Sequence, residues 1–329
     1  MRPWSTELRG SLVELELESD ALRGNPLGDP HVRPVWVHVP PGWSGDGPAL
    51  YVIQGFTGQL DMWRSRLPFR RTFPELVDAA ELRALVVLVD AWTSIGGSQY
   101  VDSPATGRYH TYLCEEVVPF VESRFPTNGL RGIAGKSSGG YGAALTALLR
   151  PDLFSGFASH AGGGLFEVSI RPFFPRAVRH LRDRHGGSVE RFLEKLRTSE
   201  APLAHPDDVH VLLQYAFSAA YADDDDGTVH LPYDVPSGRL VPDAWERWLQ
   251  WDTILLAERR PDAVRSLRAV YLDSGTRDEW FLDLVAVELR RVLERAGARE
   301  VHLELYDATH AAIEYRYPRG LAFLAERLA

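Results

Sequence analysis

Residues 11–18, Ser-Leu-Val-Glu-Leu-Glu-Leu-Glu, alternate apolar and acidic side chains, the period of a strand with one packed face and one wet face. Such a strand suits the edge of a sheet. Residues 33–39 and 49–53 predict two more strands, the first stopped by Pro40-Pro41-Gly42 and the second apolar throughout, as a central strand covered on both faces should be. β-rich runs then alternate with helical periodicity: an apolar run at 84–89, a helix over 108–123, a short strand at 131–134, a helix over 139–149 and a strand at 154–160. That rhythm predicts crossover units around a largely parallel sheet, an α/β fold. After Gly162-Gly163-Gly164 it stops, and 165–258 read as amphipathic helices with loops. It returns with a strand at 268–273, a helix over 281–296, a strand at 301–305 and a closing helix. The expected organisation is a core domain made of 1–164 and 259–329, with 165–258 as a helical insertion.

Composition narrows the function classes. The 329 residues carry 45 acidic and 36 basic side chains, a net charge of −9, which argues against a nucleic-acid grip, since that requires a basic face to displace counterions. No apolar run reaches the ~18 residues a membrane span needs. Met1-Arg2-Pro3-Trp4-Ser5-Thr6-Glu7 lacks the apolar core of a secretory signal, and the one cysteine, Cys114, excludes an internal disulfide or a multi-cysteine zinc site. Both favour a cytoplasmic setting. Cys114 is expected to be a packed thiol with no histidine nearby, and the run Asp223-Asp224-Asp225-Asp226 a solvated turn rather than a calcium loop, because the ordered ligand spacing is missing.

The segment with most chemical content is Gly135-Lys136-Ser137-Ser138-Gly139, a Gly-x-Ser-x-Gly pentapeptide between a short strand and a helix rich in small residues. A serine on so sharp a turn is lifted above the sheet, and the flanking glycines let strand and helix approach closely. The turn also places the Ser138 N–H at a helix start, where unpaired donors favour an oxyanion. The same residues resemble the end of a phosphate-binding loop, but the glycine required at 130 is Leu130, with Gly129 one place off. A serine nucleophile needs a base and an orienting acid, which follow in the order Ser, acid, His in α/β-hydrolases. His310 stands in the loop after the last predicted strand, where the base belongs. For the acid, the loop after 268–273 offers Asp273, Asp278 and Glu279. Asp278 is preferred because Asp273 sits too early to reach over the sheet, and Asp283 and Asp307 are weaker alternatives. The loop Gln54-Gly55-Phe56 after the third strand is expected to add the Phe56 N–H to the oxyanion hole. Gln54 and the rings of Trp63, Tyr100, Tyr141 and Trp280 are expected to line the substrate pocket.

These residues resemble the esterase D and antigen 85 branch of the α/β-hydrolases, the family of putative esterases that includes S-formylglutathione hydrolases, enterochelin esterases and feruloyl esterases. The resemblance rests on Gln54-Gly55-Phe56, on 97–104 leading into 112–119, on Gly135 to Gly140, on Gly275-Thr276-Arg277-Asp278 and on the late His310. It implies Ser137, Asp278 and His310 as a triad, with the Phe56 and Ser138 amides as oxyanion hole and the insertion as a helical cap. Lys136 and Gln54 stand where many members have histidine, so the resemblance leaves the substrate open. The expected activity is serine-dependent hydrolysis of a small-molecule ester, on a small, aromatic or other acyl group, without metal or organic cofactor. Acyl transfer to a sugar or other alcohol is the alternative, a non-catalytic hydrolase-like protein the remaining one, and a homo-oligomer stays open.

Overall fold

The computed structural model describes residues 7–65 and 70–329; the N-terminal stretch 1–6 read above lies outside them. Among the described residues ten strands form, β1 (Ser11–Glu18), β2 (Val32–Val39), β3 (Ala49–Ile53), β4 (Leu85–Val89), β5 (Asp102–Ser103), β6 (Gly107–Arg108), β7 (Arg131–Lys136), β8 (Gly156–His160), β9 (Ala269–Gly275) and β10 (Val301–Tyr306). Eight of them make one sheet in the order β1-β2-β4-β3-β7-β8-β9-β10, while β5 and β6 pair as a separate short ribbon. β2 runs antiparallel to β1 and β4, and every pairing from β4 to β10 is parallel. This is the α/β-hydrolase arrangement.

The strand patterns explain the order. β1 takes the edge with Glu14, Glu16 and Glu18 exposed. β3 sends Tyr51 and Ile53 into the core on one face and Leu50 and Val52 into the core on the other, so a strand without a polar position is what its place requires. Against it packs the helix Ser138–Leu149, buried almost all round as an apolar helix in the middle of a large fold should be. Its small residues set that depth: a Cβ at Gly139 would lie 2.5 Å from the Ile53 carbonyl oxygen. Gly139→Ala should therefore cost at least the 1–3 kcal/mol typical of overpacking, read as a lower urea midpoint with unchanged slope.

The helix expected over 108–123 forms as three pieces, Tyr109–Thr111, Tyr112–Val117 and Val118–Glu122. Pro119 has no N–H to donate, and the turn before it widens so that the Val118 N–H reaches back five residues to the Leu113 carbonyl. One expectation is corrected here. Cys114 does have a histidine beside it, His110 one turn earlier, with Nε2 3.8 Å from Sγ, because residues four apart share a helix face. Burial pushes the thiol up to about 12, with Arg150 opposing more weakly, so the folded protein should not react with an aromatic disulfide reagent at pH 8. Release of a full equivalent of chromophore only after denaturation is the expected result.

Between β8 and β9 the chain passes through a series of helices from Phe166 to Ser266. The helix Asp208–Tyr221 packs on Phe174–His185, and Thr253–Arg259 rests on Ser138–Leu149 and on Leu282–Ala296. Asp252 ties the series to the core: its buried carboxylate accepts the N–H groups of Phe166 at 2.6 Å and Ile254 at 2.8 Å. The Asp223–Asp226 run is held by protein partners. Asp223 accepts from Ser103 and Ala105, and Asp224 pairs with His230 and Arg247.

Candidate active site

β7 runs without a break into Ser137, leaving no loop to wrap a phosphate. Ser137 has φ 58° and ψ −123°, a conformation costing on the order of 1–3 kcal/mol for a residue with a side chain and sustained only when neighbours hold it. They do: the Ser137 N–H donates to the His160 carbonyl at 3.0 Å, and its own carbonyl accepts from Tyr141 at 2.9 Å. A Cβ on Gly135 would fall 2.3 Å from Gly139, so glycine there is a condition of the turn.

The loop after β10 brings His310 over this turn. Its Nε2 lies 3.0 Å from Ser137 Oγ and its Nδ1 2.8 Å from Asp278 Oδ2. A carboxylate only accepts, so Nδ1 carries the proton, and the Nε2 lone pair faces the serine hydroxyl. The Asp278 side chain is fully buried and also accepts the Trp280 N–H at 2.9 Å. The two loops are laced together, Thr276 N–H to the Tyr306 carbonyl and Arg277 N–H to the Ala308 carbonyl. Ser137, His310 and Asp278 thus form one hydrogen-bonded chain that can turn Oγ into a nucleophile.

The other carboxylates have different work. Asp273 is wholly buried, shared by His160 Nδ1 at 3.0 Å and Arg316 Nε at 3.0 Å. Arg316 also binds Tyr271 and Glu304, which anchors the chain just after the His310 loop to β9 and β10. Glu279 accepts the His310 backbone N–H at 2.9 Å and so positions the loop. Asp307 pairs with Arg277 in solvent, and Asp283 has no place in the chain of hydrogen bonds.

Around the serine, Phe56 and Ser138 line a pocket of about 270 Å³. Neither backbone N–H has an acceptor among the described residues, the condition expected of donors kept for a developing oxyanion. The Phe56 loop is braced from below. Thr57 N–H donates to the Gly96 carbonyl, and the Tyr100 hydroxyl to the Gln54 carbonyl at 2.5 Å. Tyr100 is therefore not a pocket residue; its ring is buried under the elbow helix, against Gly142, and it supports the loop instead. Tyr141 and Trp280 do line the 270 Å³ pocket. Gln54 and Trp63 line a second, wider cleft of about 720 Å³ on the other side of Ser137 and His310, together with Arg70, Arg71 and Lys136. Lys136 pairs with Glu314 at 2.8 Å; burial works to raise the Glu314 carboxyl, but the Lys136 charge and hydrogen bond hold it below the usual range. Sequence reasoning missed Phe166, Ile170, Leu213 and Phe217, which wall the smaller pocket from the helices after β8. Their apolar periodicity reads alike for a core and for a pocket wall.

The model of the family described as "Putative esterase" matches residues 30–320. No curated protein matches the chain. Among solved structures, a ferulic acid esterase is similar at 18% identity over 97% of this chain and 99% of its own, with TM-score 0.59. An S-formylglutathione hydrolase from Agrobacterium tumefaciens is similar at 17% over 99% and 98%, TM-score 0.58. MPT51 from Mycobacterium tuberculosis is similar at 12% over 97% and 99%, TM-score 0.56. At such identities these likenesses establish the α/β-hydrolase fold, and the family match across most of the chain makes this protein a member of the putative esterase family, a carboxylic ester hydrolase.

Proposed function

We propose that the protein hydrolyses a small-molecule carboxylic ester through an acyl-enzyme on Ser137. The observation that carries this is the unbroken chain Ser137–His310–Asp278, at 3.0 and 2.8 Å. Ser137 Oγ attacks the ester carbonyl as its proton passes to His310 Nε2; the C–O bond to the alcohol breaks and that proton leaves with the alcohol. His310 then takes a proton from water, whose oxygen attacks the acyl carbon; the C–O bond to Ser137 breaks, the acid leaves, and the proton passes from His310 back to Ser137 Oγ. The Phe56 and Ser138 amides hold the oxyanion, each worth roughly 3–4 kcal/mol by comparison with other oxyanion holes. No organic cofactor enters this sequence of steps.

The acyl group sits in the smaller pocket, among Phe56, Tyr141, Phe166, Leu213, Phe217 and Trp280, which favours an apolar or aromatic acyl chain. On this reading the segment 165–258 acts as the cap that gives the pocket its outer wall. No helix among the described residues is long and apolar enough to cross a membrane, and the single cysteine fits a cytoplasmic setting. The test is hydrolysis of p-nitrophenyl esters from C2 to C12, with labelling of Ser137 by a fluorophosphonate. Turnover with a peak at short or medium chains is expected, and Phe217→Ala should move that peak toward longer acyl groups. A protein that neither turns over an ester nor takes the label contradicts the proposal.

A further inference from the structure

The helices after β8 hold a second cluster of polar side chains that does not line the ester pocket. His180 lies in the helix Phe174–His185, and His185 is its last residue. Five residues along a continuing helix put two side chains about 140° apart. Here the helix stops at Gly186, with φ 60°, and the two imidazole centroids come within 5.2 Å. Asp208 opens the neighbouring helix Asp208–Tyr221, and its Oδ1 lies 2.7 Å from His180 Nε2. One nitrogen from each histidine and one oxygen from Asp208 lie within 4.8 Å of one another.

Burial makes this arrangement unusual. His180, His185 and Asp208 are 4%, 5% and 8% exposed, and among the described residues His185 Nε2 has no hydrogen-bond partner, a state that native interiors mostly avoid. A cavity of about 260 Å³ opens beside it, with His185, His205 and Asp208 in its wall. The His205 backbone N–H donates to Asp208 Oδ2 at 2.9 Å, and its Nδ1 accepts the Asp207 N–H at 3.1 Å. His205 therefore orients the carboxylate, as the outer partners of metal ligands do.

We propose that His180, His185 and Asp208 bind a divalent transition-metal ion, zinc by preference, at a structural site in the helical insertion. Two imidazoles and one carboxylate are the donors zinc favours, whereas calcium and magnesium require oxygen ligands. An ion there would replace the hydrogen bond between His180 Nε2 and Asp208 Oδ1, and His185 and Asp208 lie in the wall of the cavity beside it. Arg184 and Lys195 stand in the cavity wall, so the site is weaker than a closed four-ligand one and yields its ion to a chelator. Leu203 lines both this cavity and the ester pocket; the ion would hold the segment that borders the substrate.

The test uses the full chain stripped with chelator, equilibrium dialysis against zinc chloride, a cobalt(II) titration followed in the visible, and melting with and without zinc. His185→Gln is the deciding variant, since the His185 side chain makes no hydrogen bond among the described residues and its loss breaks none. His230→Ala controls for the exposed His230–Asp224 pair. One zinc per chain is expected, with cobalt bands of four-coordinate intensity and a melting point several degrees higher with zinc. All three should vanish in His185→Gln and persist in His230→Ala. If the wild type holds no more zinc than His185→Gln, or His230→Ala loses the ion, the cluster is only a buried His–Asp pair and the proposal fails.

Discussion

Replacing Ser137 by alanine is expected to lower ester turnover on the order of a million-fold, since triad members act as a unit and losing the nucleophile removes the covalent route altogether. Among the described residues, the hydroxyl hydrogen-bonded to His310 Nε2 is that of Ser137, at 3.0 Å. The substitution deletes one oxygen and keeps the Cβ, so the elbow's backbone bonds from His160 and to Tyr141 stay in place. Melting should change little while kcat collapses and fluorophosphonate labelling disappears. A variant that keeps activity within tenfold of wild type would show that chemistry occurs elsewhere, and that the hydrogen-bonded chain is idle.

The second large effect falls on Asp278. Asp278→Asn should cost about ten-thousand-fold at neutral pH, by comparison with the same change in other triads. The reason lies in the tautomer. With a carboxylate 2.8 Å from Nδ1, the imidazole proton stays on Nδ1 and Nε2 can receive the serine proton. An asparagine amide, held by the Trp280 N–H at its oxygen, turns its NH₂ toward Nδ1 and forces the proton onto Nε2. Asp307→Asn is the matched control, because that carboxylate pairs with Arg277 at the surface; it should leave kcat unchanged. Equal losses in both variants would mean the loop, rather than the tautomer, sets the rate.

Much of this was legible in the chain because its signals are local. Alternation over 11–18 and apolar continuity over 49–53 correspond to the edge strand and a central strand, since the number of covered faces decides which side chains a strand tolerates. The glycines around Ser137 mark the elbow because a Cβ at Gly135 or Gly139 would run into neighbouring backbone. The order Ser137, Asp278, His310 was readable since loops at one end of parallel strands share one edge of the sheet.

Other features depended on which distant segments meet. Tyr100 reads as a pocket ring yet lies beneath the elbow helix, bonded to a carbonyl 46 positions away. Glu279 and Asp278 are adjacent carboxylates, and only the lacing of the two loops separates one that orients the imidazole from one that holds its backbone. The helices after β8 show the limit most clearly: Phe166, Leu213 and Phe217 border the serine, while His180, His185 and Asp208 converge away from it. The sequence by itself determined the sheet, the elbow and the order of Ser137, Asp278 and His310 along the chain, because strand periodicity and steric need for glycine act over a few residues. Tertiary structure alone decided the pocket walls and the histidine cluster, because burial of an amphipathic face is satisfied equally by core, cavity or ligand, and the choice is made by helix packing across tens of residues.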